Sequence, residues 1–209
     1  AGPTLTPNLT GNPFVEVFFE DLDPDTERVH IYRLSDDRQW SVRGGVAIAA
    51  GVAALDFEVP FKSLATYRAE QFDAFGNSLG FTDSSTITVD YTGTVVHQPL
   101  SPAQLWAPAR ILAGPASALV RPTEGERVQV EGGTVGRWIG SPRQGLRSGP
   151  VKLLTQTIAA ADQMQAMLGS YTTQQVGVLC IRTSDGIRWP RTFFARGDLS
   201  EVERTVRFH

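Results

Sequence analysis

Hydrolysis of a glycan needs two carboxyl groups facing each other across a cleft. The nearest pair of that kind in this chain is Asp56 and Glu58, in the stretch LDFEV. A strand places residues two apart on the same face, so the two would stand side by side rather than opposed. We read them as solvated. Serine or cysteine chemistry needs a histidine with partners. The chain has His30, His97 and His209, and no G-x-S-x-G elbow or P-loop. Its one cysteine, Cys180, sits in the apolar run VGVLCI, where a thiol acts as a small hydrophobe. One cysteine also excludes an intrachain disulfide framework and the paired thiolates of a zinc site. The acidic run DLDPD, residues 21–25, lacks the glycine and distal glutamate of a calcium loop and reads as a solvated turn. The loop SPRQGLRSGP, residues 141–150, carries Arg143 and Arg147. Their spacing fits no phosphate cradle, and a contact with another protein suits them better. The expectation is a protein that is not an enzyme and holds no cofactor and no metal.

Four tryptophans, Trp40, Trp106, Trp138 and Trp189, offer the flat aromatic surface that sugar binding uses. Each equally suits a core or an interface. Arg143, Arg147, Trp106 and Trp138 are the candidate interface residues.

The 209 residues are 41% hydrophobic and 20% charged, enough to bury a core and too apolar for a disordered chain. A net charge of −3 carries no nucleic-acid signature. The charge is uneven. Residues 1–93 hold 6 Lys/Arg against 14 Asp/Glu, a balance of −8; residues 94–209 hold 13 against 8, a balance of +5. That change of sign suggests a domain joint near Gly93 and complementary faces that could pair between copies. No run approaches the length of apolar sequence that spans a membrane, so no membrane insertion is expected.

The elements that would position these residues are strands. Residues 1–13 are rich in Pro, Gly and Thr and read as a flexible N-terminal arm. FVEVFFE, ERVHIYRL, RQWSVR and LDFEV alternate with a period near two, and Asp36-Asp37 turns one into the next. The longest signal is Phe61–Asp90: a strand alternating through Asp73, turn residues Phe75-Gly76-Asn77-Ser78, and a β-branched strand in which Thr86, Thr88 and Asp90 alternate with Ile87 and Val89. After Gly93, repeated prolines imply short edge strands and arms. RVQVE and TVGRWI flank Gly132-Gly133 as a two-residue hairpin. Thr157 caps one helix, near 158–168, which Gly169 stops. Its apolar face is expected at Ile158, Ala161, Met164 or Gln165, and Leu168, with Met164 and Met167 as core packing. LSEVERTVRF, residues 199–208, reads as a closing strand.

Tyr67-x-Ala69-x-Gln71-x-Asp73 followed by Gly76-Asn77, with Phe61 six residues before the tyrosine, resembles the penultimate strand of a fibronectin type III domain. The resemblance covers about residues 12–92 and implies a sandwich of about seven strands. In it Tyr67 would form a tyrosine corner, its hydroxyl returning to nearby backbone. Gln71 departs from the small apolar residue usual there, and Trp40 or Phe18/Phe19 would stand in for the family's early tryptophan. Residues 94–209 resemble the distal-tail-like domain of minor tail proteins from long-tailed bacteriophages of actinobacteria. That likeness rests on a hairpin, a basic loop, the helix TIAAADQMQAMLG, the strand Leu179-Cys180-Ile181-Arg182, and Pro190-Arg191-Thr192-Phe193-Phe194.

Together these give a mainly β protein: an arm at 1–13, a fibronectin type III-like β-sandwich at 14–92, and a second β-sandwich or open barrel with one α-helix at 94–209. The resemblance implies a structural component of a phage tail tip or baseplate, located in the virion. Its partners would be a homo-oligomeric ring and other tail proteins. The alternative is a carbohydrate-binding module for a host cell-surface glycan.

Overall fold

The computed structural model describes residues 1–112, 125–128, 137–140, 152–168, 177–184 and 191–196. The protein is mainly β, with one helix among the described residues. The strands are β1 (Thr4–Asn8), β2 (Phe14–Phe18), β3 (Arg28–Ser35), β4 (Arg38–Ser41), β5 (Ile48–Ala49), β6 (Ala54–Asp56), β7 (Leu64–Phe72), β8 (Ser78–Phe81), β9 (Ser85–Thr88), β10 (Thr94–His97), β11 (Trp106–Ile111), β12 (Gly125–Val128), β13 (Arg137–Gly140), β14 (Leu153–Leu154), β15 (Val178–Thr183) and β16 (Thr192–Arg196). The helix, α1, is Ile158–Leu168.

The chain divides into two compact units, one of residues 1–110 and 155–209, the other of residues 111–154. In the second unit, β12 and β13 pair antiparallel, Gly125 opposite Gly140 and Val128 opposite Arg137. They flank the Gly132-Gly133 step symmetrically, and that step lies outside the described residues. The Leu112 N–H donates to the Lys152 carbonyl at 3.0 Å.

In the first unit, strict alternation drives the packing. Along β3 and β7 every second side chain is buried, because successive residues of a strand point to opposite faces. β2 sits between β1 and β6 in one antiparallel sheet, and a second sheet runs β4-β3-β7-β8. Val15 and Val17 from the first sheet meet Val29, Ile31, Ala65, Tyr67 and Ala69 from the second in one core, a β-sandwich. Asp36 and Asp37 both have positive φ, 51° and 56°, so the two-residue turn between β3 and β4 twists with its strands.

Three expectations differ from the structure here. Residues 1–13 are not a free arm, because Thr4–Asn8 pairs in register with Phe14–Phe18 and so satisfies its backbone groups. The second half of the Phe61–Asp90 stretch is not one strand. β8 pairs with the end of β7, and β9 pairs with its beginning. The third difference is at Gly93, which lies inside the first unit.

That last point follows from a third sheet. β10 lies between β11 and β15, and β15 pairs onward with β16. All four residues of β10 are buried, as are five of the six of β15. Such strands are covered on both faces. On one face α1 packs against β10 and β15 through Ala160, Met164 and Met167. The two methionines are core residues, as expected. The buried face of the helix, however, is rotated from the one expected, and Ile158 is 82% exposed. Ile158 is the first helical residue, directly after the cap, where the Ala160 N–H donates to Thr157 Oγ1 at 3.1 Å. On its other face β10 adds Val95 to the core of the sandwich. Residues 199–208, expected as a closing strand, lie outside the described residues.

Candidate functional site

The side chains best suited to chemistry are mostly inside the first unit. Asp56 ends β6 and is 1% exposed; Arg33 on β3 is 3% exposed. Arg33 Nη1 and Asp56 Oδ2 lie 2.5 Å apart as a buried ion pair. The Tyr67 hydroxyl donates to the same oxygen at 2.8 Å, and the Glu58 N–H donates to Asp56 Oδ1 at 2.8 Å. Burial works against the charge on Arg33, but Asp56, Tyr67 and Glu58 together hold the guanidinium above its ordinary value. Burial, and then the same carboxylate, push the Tyr67 phenol well up. Glu58 is 8% exposed and takes Arg43 Nε at 2.6 Å.

Two expectations are corrected by this cluster. Asp56 and Glu58 are not solvated, because each has its own arginine, and a paired charge can be buried where a free one cannot. Tyr67 does not return its hydroxyl to backbone. It closes on the Asp56 side chain eleven residues earlier. Arg33 and Arg43 read as ordinary strand residues, and nothing local in the sequence marks them as partners of Asp56 and Glu58.

A second buried group lies on the face that β10 and β15 turn to the sandwich. Alternation places Val95, His97, Cys180 and Arg182 on that face, with His97 opposite Cys180 and Val95 opposite Arg182. Arg182 is fully buried. Its Nη2 donates to Asn12 Oδ1 at 2.5 Å, its Nη1 to the Val59 carbonyl at 3.4 Å, and its guanidinium lies 4.5 Å from the centre of the Phe61 ring. Burial lowers its pKa to about 10. Burial, aided by the positive charges of Arg182 and Arg43, takes His97 down to about 2, so His97 is neutral. Burial pushes the Cys180 thiol up to about 12. A neutral, enclosed thiol beside a neutral imidazole has neither the thiolate nor the base that nucleophilic catalysis requires.

The outer face of the second sheet carries a different group. His30 and Tyr32 stack with ring centres 4.3 Å apart, and the Phe81 ring lies 6.1 Å from that of Tyr32. The Arg68 guanidinium covers Phe81 at 4.4 Å. The Tyr32 hydroxyl donates to Glu70 Oε2 at 3.4 Å, and the Ser78 hydroxyl donates to Glu70 Oε1 at 2.8 Å. His30 Nε2 is within hydrogen-bond distance of Ser41 Oγ, at 2.9 Å. In this half-exposed row His30 and Tyr32 are spaced by two on β3, a signal present in the sequence, and Phe81 is brought in from β8.

Of the candidate interface residues, Trp106 lies on β11, half-buried and packed against the core. Trp138 lies in β13, and its side chain is outside the described residues, as are Arg143, Arg147 and Trp189. Trp40 is half-buried on β4. Only Trp106 of the four interface candidates has its side chain among the described residues. In the acidic turn, Asp23 Oδ1 accepts the Asp25 N–H at 3.0 Å, and among the described residues no three His, Cys, Asp or Glu side chains are placed to hold a metal ion. No helix among the described residues is long and apolar enough to cross a membrane. Comparison with known proteins finds no family model, curated protein or solved structure that matches this chain.

Proposed function

We propose that this chain is a non-catalytic structural protein that works by assembly, a component of the tail tip or baseplate of a long-tailed bacteriophage. Its first sandwich is read as fibronectin type III-like and its later strands as distal-tail-like. The observation that carries the reading is what the buried charged groups do. Arg33 and Tyr67 bond to Asp56, and Arg182 bonds to Asn12, so these buried polar groups join distant segments of chain to one another. Large apolar side chains, in contrast, stand exposed at a turn and at strand ends: Phe75, Leu64 and Phe81 are 91%, 60% and 48% exposed. A rigid interior with apolar residues at its turns suits protein contact. Light scattering of the purified chain with negative-stain imaging tests this. Discrete oligomers or rings are expected. A chain that stays monomeric and retains labelled glycans sinks the reading.

Recognition of a cell-surface glycan is a second reading, favoured by the His30–Tyr32–Phe81 row with its polar rim of Arg68 and Glu70. Glycan-array binding abolished by Tyr32→Ala would establish it in place of the first.

A further inference from the structure

Among the described residues no strand of the third sheet pairs with a strand of the sandwich. Side chains join the two. Val95 enters the sandwich core. Arg182 Nη2 donates to Asn12 Oδ1, and Arg191 Nη1 donates to the Phe61 and Lys62 carbonyls at 2.8 and 2.6 Å. Asn12 Nδ2 in turn donates to the Pro102 carbonyl at 2.7 Å. A backbone ladder holds its strands together along their whole length. A seam of side-chain bonds can open by itself, at less cost than global unfolding.

One group in this seam is set against acid. His97 on β10 is fully buried, and neither of its ring nitrogens has a hydrogen-bond partner among the described residues. Buried polar groups are normally bonded, so this ring is an exception that needs a reason. β15 sets Cys180 directly opposite it and Arg182 diagonally, and β11 sets Trp106 opposite it on the other side. The Cys180 thiol is neutral, its pKa pushed up by burial. From α1, the residues buried against the sheet are Ala160, Met164 and Met167, and none of them titrates. The charges that act on the ring are those of Arg182 and Arg43, both positive. The nearby acids already have cations, Glu58 with Arg43 and Asp56 with Arg33. A proton on His97 would therefore find no acceptor to bond and two cations to oppose, whereas in water the same imidazolium is fully solvated.

We propose that this junction is an acid-released joint: proton uptake at His97 frees β10 and β15 from the sandwich, while β3 and β7 keep their fold. In the closed form His97 takes a proton only at about pH 2, and in the open form near its ordinary value of ~6.5. The closed form has the depressed pKa, so between these limits the open form binds more protons. Its population relative to the closed form gains about tenfold for each pH unit below that ordinary value. The joint needs no partner, so it stands or falls apart from the assembly reading.

Hydrogen exchange read by mass spectrometry on the full chain from pH 7 to pH 4.5, corrected for the intrinsic pH dependence of amide exchange, tests this. The opening constant of amides in β10 and β15 should rise about 50- to 100-fold relative to those of β3 and β7. Modification of Cys180 by dithiodipyridine, which also attacks thiols in acid, should quicken by a similar factor against the denatured chain. His97→Gln should abolish both changes. Loss of protection in all four strands together is global melting and overturns the joint, as does a flat profile in β10 and β15. Both of these outcomes are read on the wild type and do not depend on how the variant folds. A differential rise that persists in folded His97→Gln assigns the proton to another group and overturns it as well. A chain that opens as expected yet stays monomeric and retains glycans removes the assembly reading alone.

Discussion

Arg33 and Arg182 are both buried strand arginines, and their surroundings differ. Arg33 meets a carboxylate at 2.5 Å within the sandwich. Arg182 has no ion pair among the described residues. An amide oxygen, a peptide carbonyl and a ring face surround it instead. The acids Asp56 and Glu58 act on it only at longer range, and burial lowers its pKa to about 10, while that of Arg33 is raised. One arginine completes a local ion pair. The other ties the third sheet to Asn12, Val59 and Phe61. The tie explains why the change of charge sign at Gly93 is not a change of compact unit. The later strands use the sandwich as their second layer.

The largest expected effect breaks the pair. Asp56→Asn should cost about 3–5 kcal/mol in denaturant unfolding, because it strands Arg33 in the core without its carboxylate. Arg33→Met should fall in the same range, leaving Asp56 buried as an unpaired charge.

Acid should act mainly on the other arginine's face. The unfolded chain protonates His97 near its ordinary value of ~6.5. The folded chain does so only near 2. The group's folded pKa is depressed, so between those limits the unfolded state binds more protons, and stability falls as pH drops. The slope is ~1.4 kcal/mol per pH unit below about 6.5, near 2.7 kcal/mol by pH 4.5. His97→Gln should remove that slope from melts recorded across pH 4.5–7, and an unchanged slope would show that the imidazole is not held neutral.

Arg182→Met should cost less than breaking the Arg33 pair, about 1–3 kcal/mol, since it leaves Asn12 Oδ1 without its donor but removes a desolvated charge. Adding Asn12→Leu should recover only part of that loss, since it removes the stranded acceptor but also the Asn12 Nδ2 bond to the Pro102 carbonyl at 2.7 Å. A cost for Arg182→Met equal to that of Arg33→Met would erase the distinction between tie and pair. The smallest effect is kinetic. Cys180 should resist iodoacetamide in the folded protein at pH 8, its thiol being buried and pushed up to about 12. Arg182→Met should speed that labelling by loosening the junction, with little change at saturating denaturant.

Period-two runs such as RVHIYRL and LATYRAEQ set their strands directly, because one buried face is enough to select them. The Thr157 cap and the spacing of apolar residues placed the helix in the same way. The turn residues Asp36, Asp37 and Gly76 were legible because positive φ is a local demand. These features need only a few neighbouring residues. The buried charges do not follow from any window of sequence. Asn12, in a stretch that reads as linker, meets Arg182 across 170 positions, and Arg33 meets Asp56 across 23. A charge enters a core only when its partner is already in place. The sequence by itself determined the strictly alternating strands such as β3 and β7, the helix and the mainly β class. Tertiary structure alone decided which polar residues were drawn inside, how the third sheet joins the sandwich, and that Phe75 is left in water.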